Sequence, residues 1–184
     1  AAAIAEGEAD ADRRVGPLPS QKDPPLELRD RWNRTALHWA VVNQQQAALD
    51  MLITAGASVN GAPMKQKKHS KATHLPLESP LHSAARLPPN AALPLVRRLI
   101  AAKANPNHLD QFGQTPLHVA AASCGQGLCV RCAPGDEGAA GAVRALLDAG
   151  SGLDRKDHSG RTALDLALQF AAGETDVLSL LRVG

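Results

Sequence analysis

Aromatic side chains are almost missing from this chain: two Trp, two Phe and no Tyr in 184 residues. A β-sandwich draws on aromatic and β-branched residues, so that architecture is a poor fit. Cysteine is sparse and odd at three, which argues against a disulfide-stapled secreted domain and for a reducing intracellular compartment. Cytoplasm is the expectation, with nucleus and organelle left open. No apolar run approaches the roughly 18 residues of a membrane span, and the start lacks the charged-then-apolar layout of a signal peptide. Twenty basic residues against eighteen acidic ones leave a formal charge of +2, too balanced for an obligate nucleic-acid binder. Ala1 stands first in place of Met, as expected of a fragment or a processed product.

Hydrophobic residues reach 44% and charged ones 21%, a composition that folds. Alanine and leucine dominate, which favours helices that approach one another closely. The length suits one domain or a short repeat array, and self-similarity decides between them. Four segments align: TALHWA at 35–40, SPLHSA at 79–84, TPLHVA at 115–120 and TALDLA at 162–167. A second apolar stretch follows each: LDMLI at 49–53, VRRLI at 96–100, VRALL at 143–147 and VLSLL at 177–181. The first three lead into GASVN (56–60), KANPN (103–107) and GSGLD (150–154). DRWNRT (30–35), DQFGQT (110–115) and DHSGRT (157–162) run into three of the anchors.

This pattern resembles the ankyrin repeat, a 33-residue unit of a β-turn and two helices bearing T-P-L-H-x-A. The resemblance covers residues 23–184. It implies an all-α repeat solenoid, a helix-turn-helix stack with short β-hairpin fingers, one continuous core and an L-shaped cross-section. Local chemistry points the same way. Thr or Ser at the first position is a helix N-cap, and Pro at the next is pre-set for the first turn. Leu and Ala at spacings of three and four draw one apolar face. Gly after the second helix is a C-cap able to take positive φ. Asn33 replaces Gly at the first finger turn, the next most tolerant residue there.

The anchors at 35, 79, 115 and 162 lie 44, 36 and 47 apart, about 11, 3 and 14 residues beyond the 33-residue unit. The first excess reads as a longer finger between units one and two, near 61–76. The second, LPPN at 87–90, reads as a longer turn between the helices of unit two. The third, near 124–138, reads as a loop between the helices of unit three, at the edge opposite the fingers. Long insertions in regular repeats map to loops and often carry function. Residues 1–22 read as an N-terminal linker or the tail of a preceding repeat, and 23–184 as the repeat domain. DPPLELRD at 23–30 occupies the place that NPNHLD does at 105–110, the end of an earlier finger. Ala36, Leu37 and Ala40 look like an interior unit, so residues upstream of Asp23 or another chain are expected to cover them. Asp165, where the other units have His, suits the polar outer layer of a terminal cap.

His38, His82 and His118 share one repeat position, and the resemblance gives them a structural role, supporting the finger of a neighbouring unit. The repeat places no nucleophile beside them; a Gly-rich phosphate loop, G-x-S-x-G and H-E-x-x-H are all absent. Neither enzyme activity nor a cofactor is expected. Cys124, Cys129 and Cys132 form the one sharp cluster, with the C-x4-C-x2-C spacing of a plant-type [2Fe–2S] loop but no fourth Cys. Zinc would also need a fourth ligand, from Asp136, Glu137 or a partner chain. Free thiols are the expectation; metal, and a redox or disulfide role, are the alternatives. Lys65, Lys67, Lys68 and Lys71, with His69 and His74, make a basic finger without aromatics to stack bases. It reads as a solvated loop or as a dock for an acidic protein partner, with nucleic acid or anionic lipid as weaker options.

Trp32 and Phe112 occupy one finger-tip position, and Phe170 falls on an inner helix at the concave edge. Exposed aromatics without a local packing need anchor interfaces. Trp39, inside an inner helix, is expected to be partly packed. The resemblance implies a binding groove formed by finger tips and inner helices. Its residues are Arg31, Trp32, Arg34, Val42 and Asn43 in unit one, and Arg86, Leu87, Gln111, Phe112, Gln114, Ala122 and Ser123 in units two and three. In unit four they are His158, Ser159, Arg161, Gln169 and Phe170. The function this implies is a non-catalytic protein–protein interaction module, and the basic finger would favour an acidic segment on its protein partner. A structural subunit of a large assembly, or the regulatory ankyrin region of a longer polypeptide, enzymatic or not, are the alternatives.

Overall fold

A computed structural model describes residues 25–30, 32, 34–61, 78–125, 137–170 and 176–183. Alternating caps and apolar stripes yield four helix pairs. They are α1 (Ala36–Val42) with α2 (Gln46–Thr54), α3 (Pro80–Ala85) with α4 (Pro89–Ala101), α5 (Pro116–Gly125) with α6 (Glu137–Asp148), and α7 (Ala163–Phe170) with α8 (Asp176–Val183). A 3-10 turn, Pro25–Glu27, precedes them. The inner helices α1, α3, α5 and α7 stack side by side, and α4, α6 and α8 stack behind them. Ala40, Ala84, Ala120 and Ala167, one per unit, are all buried; a methyl side chain there lets neighbouring helices close up. Leu37, Leu81 and Leu117 from the inner row meet Leu49, Leu99 and Leu146 from the outer row. One core runs from these to Leu178 and Leu181 in unit four. The architecture is the all-α repeat solenoid.

The described fingers are tight turns, with no β-strand among the described residues. Each described finger is closed at its base by a backbone bond, from Asp30 to the Arg34 carbonyl (3.0 Å), Asp110 to Gln114 (2.9 Å) and Asp157 to Arg161 (2.9 Å), and in the last two Gly113 and Gly160 also donate back to the Asp110 and Asp157 carbonyls. Their aspartates explain why. Asp30 Oδ1 accepts the Trp32 and Arg34 amides at 2.9 and 2.8 Å. Asp110 does the same for Phe112 and Gln114, and Asp157 for Ser159 and Arg161. A carboxylate that takes the turn amides leaves none for a strand ladder. Across fingers, the His158 amide donates to the Phe112 carbonyl at 3.0 Å.

The second insertion is a correction to the reading above. The turn between α3 and α4 is no longer than the one between α1 and α2, three residues each (86–88 and 43–45). The extra residues lengthen α4, which runs 13 residues against nine in α2. Pro89 explains this: at the first helical position its missing N–H costs nothing and its fixed φ starts the helix early. The third insertion begins and ends inside helices, since Cys124 and Gly125 belong to α5 and Glu137 and Gly138 to α6.

Outer helices end on a shared left-handed cap. Gly56 and Gly150 adopt φ of 89° and 87°, and Lys103 fills the same place in unit two at 64°. The next amide reaches back to Leu52, Leu146 and Leu99 in turn, at 2.9, 3.0 and 2.9 Å. Of these three caps only Lys103 carries a side chain in this conformation, where a Cβ crowds the following carbonyl. Lys103 is exposed, so little packing opposes a change. Lys103→Gly is expected to stabilise the array by about 1 kcal/mol, read as a higher urea midpoint at unchanged slope. An unmoved midpoint would show that Lys103 bears no strain.

Candidate functional site

Each of the first three units begins with one buried device. The Thr35 amide donates to His38 Nδ1 at 3.1 Å, with the hydroxyl 2.9 Å from the same nitrogen. Ser79 and His82 repeat this at 3.2 and 2.8 Å, Thr115 and His118 at 3.3 and 2.8 Å. The far nitrogen, Nε2, lies 2.8, 3.0 and 3.2 Å from the carbonyls of Glu78, Gln114 and Arg161 at the next unit's finger. An amide can only donate and a carbonyl can only accept, so each ring must be neutral with its proton on Nε2. Burial holds all three below the ordinary histidine value, His82 at about 4. These rings are struts from one unit to the next finger. In unit four Asp165 Oδ2 accepts the Thr162 amide and hydroxyl, both at 2.8 Å. An ionised carboxylate has no donor with which to hold a further finger.

Hung from these struts, the fingers and inner helices enclose a cavity of about 520 Å³. Trp32, Arg34, His38 and Val42 of unit one line it, with Glu78, Ser83, Arg86 and Leu87 of unit two and Gln111 of finger three. The expected groove residues Trp32, Arg34, Val42, Arg86, Leu87 and Gln111 therefore converge on one hollow spanning three units. Trp32 is 52% exposed. Exposed Arg86 pairs with half-buried Glu78 at 3.2 Å, an interaction of at most about 1 kcal/mol.

Arg34 is placed differently from its equivalent in unit four. There the Arg161 Nε and Nη2 bind Asp157 Oδ2 at 3.1 and 2.9 Å. In unit one the matching oxygen, Asp30 Oδ2, is taken by the Trp39 indole N–H at 3.0 Å. The Arg34 guanidinium lies instead over the Trp32 and Trp39 rings, 5.6 and 5.3 Å from their centroids. Trp39 is 39% exposed, so it is partly packed and also builds the site.

The other expected residues do not line the hollow. Phe112 is 57% exposed at the tip of finger three. The His158 ring packs on Gly113, where an added Cβ would come within 2.6 Å of it. The Gln114 and Arg161 backbones belong to the struts, and Arg161 Nη1 also reaches Gln169 Oε1 at 3.4 Å. Asn43 caps α1, its Nδ2 donating to the Trp39 carbonyl, and Ser159 is exposed in its turn. On α5, Ala122 and Ser123 are half-buried, with Ser123 Oγ donating to the Val119 carbonyl. Outside the described residues lie Arg31, the lysines Lys65, Lys67, Lys68 and Lys71, the cysteines Cys129 and Cys132, and the side chains of Cys124 and Phe170. Sequence reasoning missed Glu78, Ser83 and the part played by Trp39. The repeat register contained the signal, since Glu78 aligns with Arg34 and Ser83 with Trp39.

Helix pairs tied by a buried T-x-x-H cap and an aspartate-held finger define a helical repeat protein of the protein-binding kind. This chain belongs to the ankyrin-repeat family. The family model of ankyrin repeats in three copies matches residues 81–183, and that of the single ankyrin repeat matches 32–62. The chain is similar to neurogenic locus notch homolog protein 4 of Homo sapiens, 37% identical over 95 residues, and to Rabankyrin-5 of Mus musculus, 28% identical over 162. These matches cover 51% and 82% of this chain but only 4% and 12% of the two relatives. Among the described residues no helix is long and apolar enough to cross a membrane.

Proposed function

We propose that the chain is a non-catalytic protein-binding module that seats a segment of another protein along the groove between finger tips and inner helices. The observation that supports this best is the hollow shared by three units, with Trp32 at its mouth. An exposed indole beside a concave, mixed apolar and polar wall is the kind of feature on which binding energy concentrates. Phe112, exposed on a finger two units away, supplies a second anchor. At the usual 8–10 Å between packed helices the two tips stand roughly 20 Å apart, which suits a helix or an extended segment.

The test takes a partner identified from native extract and measures its affinity for the parent and for Trp32→Ala and Phe112→Ala. Each variant is expected to bind at least about tenfold more weakly without unfolding, because truncating an interface aromatic commonly costs about 2 kcal/mol. Replacing the four lysines of the 61–76 insertion should cost less, and that loss should shrink at high salt. Normal binding by both aromatic variants, with loss on shortening the 124–138 insertion, would move the working surface to the opposite edge.

A further inference from the structure

The hollow contains a cation without a salt bridge of its own. Arg86, Arg98 and Arg161 each face a carboxylate, on Glu78, Asp50 and Asp157. Among the described residues the Arg34 guanidinium makes no such pair: the Trp39 indole occupies the matching oxygen of Asp30, and Asp30 feels the guanidinium only through space. Two indole rings fix its position instead. Stacking uses the flat faces of a guanidinium and leaves its N–H edge, a fork that matches a carboxylate. A side chain already held in place loses less entropy when a partner arrives.

The surrounding charge points the same way. Arg34 and Arg86 against Glu78 leave the lining with one net positive charge. His38 at the floor adds none: burial first, and the charges of Arg29 and Arg34 after it, hold its ring neutral. Val42 and Leu87 supply the apolar wall beside Arg34. A basic segment is disfavoured, because the aromatic faces that would receive a cation already hold one.

We propose that Arg34 is the receptor for a carboxylate side chain of the bound protein, with an apolar side chain next to it filling the hollow against Val42 and Leu87. The occupant is thus an acidic, amphipathic peptide segment. This rests on the groove reading above and names the chemistry of its partner.

Trp32 and Trp39 are the only tryptophans in the chain, and there is no Tyr. Tryptophan emission therefore reports this site alone. A displayed library of random peptides, panned on the whole chain, supplies the probe. Enriched peptides are expected to place Asp or Glu near an apolar residue and to change the emission on binding. Arg34→Met should weaken them about tenfold, as should Glu→Gln in the peptide, and the two losses should not add. Arg34→Lys, which keeps the charge but not the planar fork, should recover only part. Unchanged thermal melting of both variants checks that the array is folded. Two results would overturn the proposal while leaving the groove standing: enriched peptides that need Trp32 yet carry no acid, or acids whose loss costs as much in Arg34→Met. Peptides that bind Trp32→Ala as well as the parent, or no enriched peptide at all, would sink the groove reading and this one with it.

Discussion

Substituting His82 by leucine should destabilise the array by about 3 kcal/mol, since each buried polar group left without a partner costs about 1–3 kcal/mol. The ring has no exposed surface and serves three groups at once: the Ser79 amide and hydroxyl at Nδ1 and the Gln114 carbonyl at Nε2. Leucine fills similar space but binds none of them. The Gln114 carbonyl keeps the Asp110 amide, so the greater share of the loss falls on Ser79. A solenoid is held together unit by unit, and this strut joins α3 to finger three. The loss should therefore appear in urea as broken cooperativity between the first two units and the last two. Asp165→Leu is the control. That carboxylate is exposed and caps only Thr162, so its loss should cost about 1 kcal/mol. Equal effects of the two substitutions would show that burial of the strut contributes nothing.

Acid should weaken the array in a window set by the same rings. Burial depresses the folded-state pKa of His38, His82 and His118, for His82 from 6.5 to about 4. A depressed histidine means that, below 6.5, the unfolded chain takes up protons that the folded chain refuses. Stability is then complete above about 6.5, falls with pH through that interval, and has lost the His82 share below about 4. That share is about 3 kcal/mol. His38 and His118 act in the same direction. Asp30, Asp157 and Asp165 come into play only at lower pH. Burial is the largest influence on the first two and works against them, but the turn amides, the Trp39 indole at Asp30 and the Arg161 side chain at Asp157, with the charges of Arg34 and Arg161, together outweigh it, and Thr162 lowers the third. Urea midpoints measured across the histidine window should slope downward toward acid, and His82→Leu should flatten part of that slope. A level profile would mean that the rings accept protons inside the fold.

Much of this was legible in the residues themselves. The cap, the Leu and Ala stripe and the strut histidine recur at one spacing, and each demands a local geometry that any chain with those residues would adopt. Trp32 and Phe112 were legible as exposed because the repeat leaves their position without a packing duty. The length of α4 was less legible. LPPN reads equally as a turn or as the start of a helix, and the choice fell to Leu95, Val96 and Leu99, whose burial rewards the longer helix. The finger strands were misjudged for a related reason, since an aspartate that binds its own turn amides looks, in sequence, like any other turn residue.

What the sequence determined alone is the repeating unit: four helix pairs, their caps and the position of the struts, all of which follow from contacts between residues close along the chain. What only the tertiary structure decided is which charges stay outside a salt bridge. Arg34 and Arg161 occupy the same register behind the same kind of aspartate, and the repeat pattern by itself treats them alike. The difference comes from Trp39, nine residues on from Asp30, whose indole N–H meets Asp30 Oδ2 only once α1 has packed beneath the finger. A hydrogen bond between finger and inner helix occupies the carboxylate oxygen, the guanidinium rests on two aromatic faces, and it stands there where the proposed acidic segment would meet it.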